Sequence, residues 1–380
     1  MSESAFPSDE LSARRARVVA ALAARGIDAM IVTGPENIFY LTGQQTPGYY
    51  TFQCLILAPG RDPIFILRQL EAANFAANAD IADPVLYGDG ETAAGVLSRV
   101  LAGAGLAGKR LAIEKQGWFV GIALYEQIVA AIGPLADGSG IIESARRVKS
   151  PRELAAIEKA AGYADAGMKA GIAAARDGGS ENTVVAAMMG AMIAAGSEYL
   201  GMEPLVAAGE RAGVPHATWR RRPIRTGDAV FLEVAGCHDR YHGAVLRTGF
   251  VGPAPTAALP VKAVAEEALL AGLAVLRPGN TCAAVHRAIQ AVIDSAGMTD
   301  RYRKRSGYSS GISFAPDWGE WQVLSLFDGI DVPLEAGMCF HMPVVLREWG
   351  QFTVGGSETV IVTDTGWRSL SAIPRDLFGG

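Results

Sequence analysis

The chain is poor in cysteine and in histidine, with four and five in 380 residues. Cys54, Cys237, Cys282 and Cys339 are scattered and form no CxxC pair. That excludes a disulfide framework and a thiolate zinc site, and it fits a reducing compartment. Neither sign of charge dominates: 34 basic against 39 acidic side chains leave a formal −5, so the basic face that nucleic acid requires is missing. Long apolar runs are missing too. The longest, VVAAMMGAMIAAG from Val184, is too short to cross a bilayer and is expected to be a buried helix. The first residues, MSESAFPSDELSARRARVV, hold no apolar core of a secretory signal. These absences lead us to expect a soluble, cytoplasmic protein with no nucleic-acid or membrane partner.

What is present suffices for two domains with cores of their own. Over residues 9–25, Leu11, Val18, Val19 and Leu22 recur at helical spacing, with Arg14, Arg15 and Arg17 largely opposite. Short strand-like runs follow, DAMIVTG, TFQCLILAPG and DPIFILRQ, each bounded by Gly or Pro. They alternate with helical segments to about residue 142, which predicts an α/β domain. After a basic link, Ser150, Pro151 and Glu153 supply an N-cap, a first-turn proline and a capping box. We therefore divide the chain into residues 1–147 and 148–380. The second part reads as helices over 151–176 and 181–195, strands in GDAVFLEVAGC and HGAVLRTGFVG, helices over 257–276 and 281–296, and a strand-rich segment over 307–363. Helices laid over an antiparallel sheet make the fold class α+β; pattern alone does not settle whether this part holds two similar halves.

Chemistry concentrates in GDAVFLEVAGCHDRYHGAVLRTG, where Glu233, Cys237, His238, Asp239 and His242 fall within ten positions. Glu233 interrupts an apolar strand, where a carboxylate is costly unless paired or functional. The alternative is an edge-strand glutamate facing water. His216, in the loop-like GVPHATW, can serve in proton transfer or bind backbone. His238 and His242 flank a turn and are read as structural or exposed, and His286 at helical spacing as structural. His341, on a strand, can face a core or a pocket. Glu320 and Glu358 are further acidic candidates. The Arg220–Arg222 run is read as a solvated loop. No spacing here matches a zinc signature.

The same stretch resembles the paired-strand motif of the pita-bread family of creatinase, aminopeptidase P and proline dipeptidase. PENIFYLTG, VKSPRELAAIEKA, LEAGMCF and SETVIVTDTG resemble other parts of that family across nearly the whole chain. The resemblance implies a creatinase-like N-terminal α/β domain and a C-terminal catalytic domain with helices packed over a curved antiparallel sheet. Metallopeptidases of the family use two Asp, one His and two Glu as ligands. Those positions fall here on Glu233, Ala244, Tyr308, Pro343 and Ser357, so a dinuclear site is expected to be lost. PHATWRRRPIRTGDAVFLEVAGCHDRYHGAVLRT, GYSSGISFAPDWGEW and IPRDLF are similar to the metal-free branch of ectoine hydrolase and creatinase.

That branch implies a cofactor-free, metal-independent hydrolase that cleaves a C–N bond in a small polar nitrogen compound such as an ectoine-like cyclic amidine. Glu233 would be the nucleophile and His216 the acid/base. Tyr308, Trp318, Glu320, His341 and Glu358 would line the pocket, with Tyr50, Phe52 and Gln53 reaching the partner's site in a homodimer. Arg247 is expected to hold the strand pair. Gly319 stands where creatinase carries an arginine, which disfavours creatine. Two alternatives remain. One is a metal-dependent Xaa-Pro aminopeptidase or dipeptidase with ligands rearranged onto Asp239, Glu320 and Glu358. The other is an inactive peptide-binding module.

Overall fold

In the computed structural model, which describes residues 5–379, the chain forms two compact units, one ending at Arg146 and the other beginning at Arg147. The first unit is a six-stranded sheet of β1 (Ala29–Val32), β2 (Cys54–Leu57), β3 (Ile64–Arg68), β4 (Val85–Tyr87), β5 (Leu111–Ile113) and β6 (Ala136–Asp137). Their order is β4-β3-β2-β1-β5-β6, antiparallel at β1–β2 and β2–β3 and parallel elsewhere. Six helices accompany it: α1 (Ser8–Ala24), α2 (Pro35–Thr42), α3 (Ala72–Asn78), α4 (Ala93–Gly103), α5 (Ile122–Ile132) and α6 (Ile141–Arg146). Helix α1 buries Leu11, Val18 and Leu22 as the spacing predicts, but it also buries Arg14. The guanidinium lies 4.1 Å from the Phe6 ring centroid and 4.5 Å from that of Tyr40. It donates to the Tyr40 carbonyl and to Glu10, which is how a charge tolerates burial.

The second unit opens with α7 (Pro151–Ala174) and α8 (Glu181–Ala195), followed by β7 (Leu205–Ala208), β8 (Ala229–His238) and β9 (Tyr241–Phe250). A second helix pair, α9 (Ala258–Val275) and α10 (Cys282–Ser295), precedes β10 (Gly307–Ser310), β11 (Gly319–Leu326), β12 (Cys339–Glu348), β13 (Phe352–Val362) and β14 (Trp367–Ser369). The strands form one sheet in the order β11-β10-β12-β13-β9-β8-β7, with β14 added to β13. Helix pair followed by strands thus occurs twice, and the two sets meet where β13 runs beside β9. Ser150 and Glu153 make the expected reciprocal capping box at the start of α7. Helix α8 buries Val184, Val185, Met188 and Met192 on one face only, and Ile193 is 60% exposed.

Strand alternation divides the sheet into two faces. Leu232, Val234 and Val245 pack with Met168 and Met188 of α7 and α8, while Met342, Val344 and Val360 join Leu269 and Ile289 of α9 and α10. Residues one step out of phase, Glu233, Ala235, Ala244, Leu246, His341, Pro343, Ser357 and Thr359, face away from the helices. They occupy directly opposed positions on neighbouring strands.

The docking of α7 explains two glycines. Gly236 and Gly243 are register partners on β8 and β9. A Cβ on Gly236 would stand 2.2 Å from the Ala160 carbonyl oxygen, and one on Gly243 2.7 Å from the Ala161 nitrogen. Helix backbone cannot swing aside as a side chain can. Gly236→Ala is therefore expected to destabilise the second unit by about 3 kcal/mol or more, the upper range of core overpacking. Denaturant unfolding would show this as a lower midpoint.

Candidate active site

Glu233 lies near the middle of β8, an interior strand between β7 and β9, and is buried. It is not an edge residue facing water. Its Oε1 is 3.4 Å from His341 Nε2. On the far side of that ring, Nδ1 is 2.8 Å from Thr359 Oγ1, and the Thr359 hydroxyl donates to the Ala244 carbonyl at 2.7 Å. That donation commits the only proton of the hydroxyl, so Thr359 accepts from His341 and Nδ1 carries a hydrogen. Nε2 is thereby the nitrogen left to exchange a proton, and it faces the Glu233 carboxylate.

Two rings complete this side of the group. Tyr308 lies with its ring centroid 5.5 Å from that of His341, and its oxygen accepts from Trp318 Nε1 at 3.0 Å. Burial, with the nearby Glu233 adding to it, holds the phenol well above its ordinary pKa, so Tyr308 keeps its proton. Asp317 is also raised, mainly by burial and with a smaller part from Glu233, although two backbone N–H groups oppose the shift.

Two basic side chains lie within electrostatic reach of the carboxylate. Lys304 donates from Nζ to the Pro343 carbonyl, and its ammonium is pushed down to about 7 by burial first and then by Arg347, with Glu233 opposing. Arg347 follows His341 by six positions along β12 and so shares its face. Burial lowers it and Glu233 raises it, and its Nε has no hydrogen-bond partner. Neither cation was singled out in the sequence. The period-two run His341, Pro343, Val345, Arg347 was the one available signal.

The other expected residues are distributed differently. His216 lies in an exposed loop at φ 54° and makes no hydrogen bond to Glu233; the imidazole that reaches Glu233 is His341. Glu320 is turned into a buried ion pair with Lys149 Nζ at 2.9 Å and also accepts from Ser309 Oγ and the Ile312 N–H. Its carboxylate is thus engaged by Lys149, Ser309 and the Ile312 backbone and does not join Glu233. Glu358 does not join Glu233 either. It is the register partner of Met342, so it belongs to the helix-covered face. There it sits 3.5 Å from both Arg247 and Arg375 and accepts from Ser369. Arg247 donates to the carbonyls of Leu246, Ser357, Ile373 and Pro374, so its side chain ties β9 to β13 and to the segment after β14 rather than to β8. Gln53 is buried within the first unit, Phe52 packs on that unit's core, and Tyr50 is 78% exposed. Arg220 and Arg221 are exposed. All four cysteines are buried free thiols.

Residues 155–364 match the metallopeptidase family M24, and residues 14–148 match the creatinase/prolidase N-terminal domain. The chain belongs to metallopeptidase family M24. Its parts are a creatinase-like N-terminal domain and a pita-bread C-terminal domain. Ectoine hydrolase from Halomonas elongata is 29% identical over 397 residues, covering 98% of each chain. The putative dipeptidase YkvY of Bacillus subtilis is 26% identical over 369 residues, covering 95% of this chain and 98% of its own. Among solved structures, dipeptidase PepE from Mycobacterium ulcerans superposes with TM-score 0.86 at 22% identity over 98% of each chain. Prolidase from Thermococcus sibiricus does so with TM-score 0.86 at 24% identity over 97% of this chain and 98% of its own. These structures share the fold.

The metal that the M24 pattern implies does not fit the side chains at its positions. Ala244 and Pro343 offer no donor. Ser357 Oγ accepts from the Leu246 N–H at 2.8 Å, which closes the line between β9 and β13, and Tyr308 holds its proton against deprotonation. Among the described residues no group of three or more His, Cys, Asp and Glu converges, and Glu233 with His341 supplies two donors where a dinuclear site needs bridging carboxylates. No helix among the described residues is long and apolar enough to cross a membrane.

His242 is separate from this chemistry. It donates from Nδ1 to the Arg240 carbonyl and accepts at Nε2 from the Gly201 N–H. Burial, reinforced by Arg240, pushes it from the ordinary 6.5 down to about 3. Unfolded chain gains this proton as pH falls through the ordinary value while folded chain does not, so folding stability drops between those limits. Urea unfolding at pH 7.5 and pH 5 is expected to show a loss at the lower pH that is smaller in His242→Gln.

Proposed function

We propose that this protein is a metal-independent hydrolase that opens a C–N bond in a small polar nitrogen compound of the cyclic amidine type. The observation that carries the reading is the buried Glu233–His341 pair, set where the family's ligand positions have become Ala244, Tyr308, Pro343 and Ser357. Similarity to ectoine hydrolase along nearly the full length supports the same substrate class. A cationic amidinium is drawn to the carboxylate and is electrophilic at carbon, while Tyr308 and Trp318 offer aromatic walls to a small cation.

The proton on the pair is then held at His341 Nε2 and leaves Glu233 ionised. Glu233 forms a C–O bond to the amidine carbon. Nε2 gives its proton to the ring nitrogen as that C–N bond breaks. Water, losing a proton to the now neutral Nε2, attacks the same carbon, frees the Glu233 carboxylate and leaves an amide. We assign proton transfer to His341 rather than His216 because His341 is the imidazole in reach of Glu233 and its tautomer is fixed by Thr359. The reading also takes the protein as a homodimer, on the creatinase resemblance. Of Tyr50, Phe52 and Gln53, the exposed Tyr50 is the side chain suited to contact a partner.

Chelator-treated enzyme followed by NMR with ectoine as substrate tests the reading. Ring opening is expected to persist without metal and to fall by about 10²–10⁴-fold in Glu233→Gln and His341→Gln, while His216→Ala leaves it largely intact. Cleavage of a Xaa-Pro dipeptide that returns only with added divalent metal would overturn it.

A further inference from the structure

A cleft of about 900 Å³ opens in the second unit among α10, the segment before β10, and β11. Its walls include the rings of Tyr302, Trp321 and Phe327, and its charge comes from Lys304 and Arg305. The Arg305 guanidinium carbon is 5.1 Å from the Trp321 ring centroid and 5.8 Å from that of Tyr308. Its one hydrogen bond to a side chain is a long one, 3.5 Å to Ser325 Oγ. Lys304 Nζ spends one of its three N–H groups on the Pro343 carbonyl. The other charged groups of the lining are engaged. Asp294 accepts from Gln290 and Thr299, and Arg303 pairs with Asp300. His286 is bonded to Ser306 and is lowered mainly by burial. Lys304 and Arg305 thus stand between aromatic walls with donors to spare, and Asp294, the carboxylate in the lining, has its Oδ1 taken by Gln290 and Thr299.

The cleft is separate from the Glu233 group: none of Glu233, His341, Tyr308 and Trp318 is in its lining. The geometry points to a second ligand site, for a small anionic compound with an apolar body, with Arg305 and Lys304 holding a carboxylate and Tyr302, Trp321 and Phe327 packing its body. The volume lies in the range that encloses a ligand of drug-like size. The site does not rest on the hydrolase reading.

Calorimetric titration of the full-length protein with 4-phenylbutyrate, 4-phenylbutanamide and 4-phenylbutylamine tests this. The carboxylate is expected to bind at least about tenfold tighter than the neutral amide, a difference of one charge-assisted hydrogen bond, and the amine least of all. Trp321→Ala and Arg305→Gln are each expected to weaken carboxylate binding by a similar factor. Glu233→Gln, which abolishes hydrolysis if the catalytic reading holds, is expected to retain or tighten it. Equal affinity of the wild-type protein for all three probes would overturn the proposal, as would carboxylate affinity unchanged in both cleft variants. Activity on ectoine does not enter this readout, so failure of the hydrolase reading is seen separately.

Discussion

One hydrogen-bond chain governs the chemistry of the open face: Ala244 carbonyl, Thr359 hydroxyl, His341 imidazole, Glu233 carboxylate. Its direction is set at the backbone end, where the carbonyl can only accept. Each link then has one choice left, and the last link turns His341 Nε2 toward Glu233. The four members come from β9, β13, β12 and β8 in turn, two from each half of the second unit. The pair therefore exists only when the halves are joined, and the join itself is unusual. Between β9 and β13 the register holds one residue pair, Arg247 with Gly356, and side chains supply further bonds. Ser357 accepts from Leu246, Thr248 donates to Gly355, and Arg247 reaches the carbonyls of Ser357 and Ile373.

The M24 frame explains why a carboxylate is tolerated in an apolar strand at all. In the family pattern five ligands on this face answer one another's charge through metal. Here four of the five have become residues that carry no carboxylate, and one of them, Ser357, has taken up the backbone N–H left at the join. The remaining carboxylate is answered by other side chains instead: His341 at 3.4 Å, with Lys304 and Arg347 within its electrostatic reach. The fold is kept while the face loses the donor set of a dinuclear site.

Much of the architecture was legible in the residues. The capping box at Ser150 and the period-two strands around Glu233 follow from local chemistry that tertiary contacts do not override, whereas the repeat of helix pair and strands was left open by the pattern and is seen in the fold. Glu233 was legible for the same reason, since a carboxylate in AVFLEVAG has to be answered by something. Its partner was not. His216 and His341 are both single histidines in the sequence, and the choice between them depends on which strand lies beside β8 across two intervening strands, a non-local fact. Glu320 and Glu358 were misplaced for a related reason. Their carboxylates are absorbed by Lys149 and by Arg247, residues 171 and 111 positions away. Arg14 shows the limit of helical periodicity: its spacing says surface, and two aromatic rings make it core.

The most direct test of the account is the tautomer of His341, read by side-chain nitrogen NMR of selectively labelled protein. The account predicts a hydrogen on Nδ1, donated to Thr359, with Nε2 the nitrogen that faces Glu233. An Nε2–H tautomer with Nδ1 bare would contradict it.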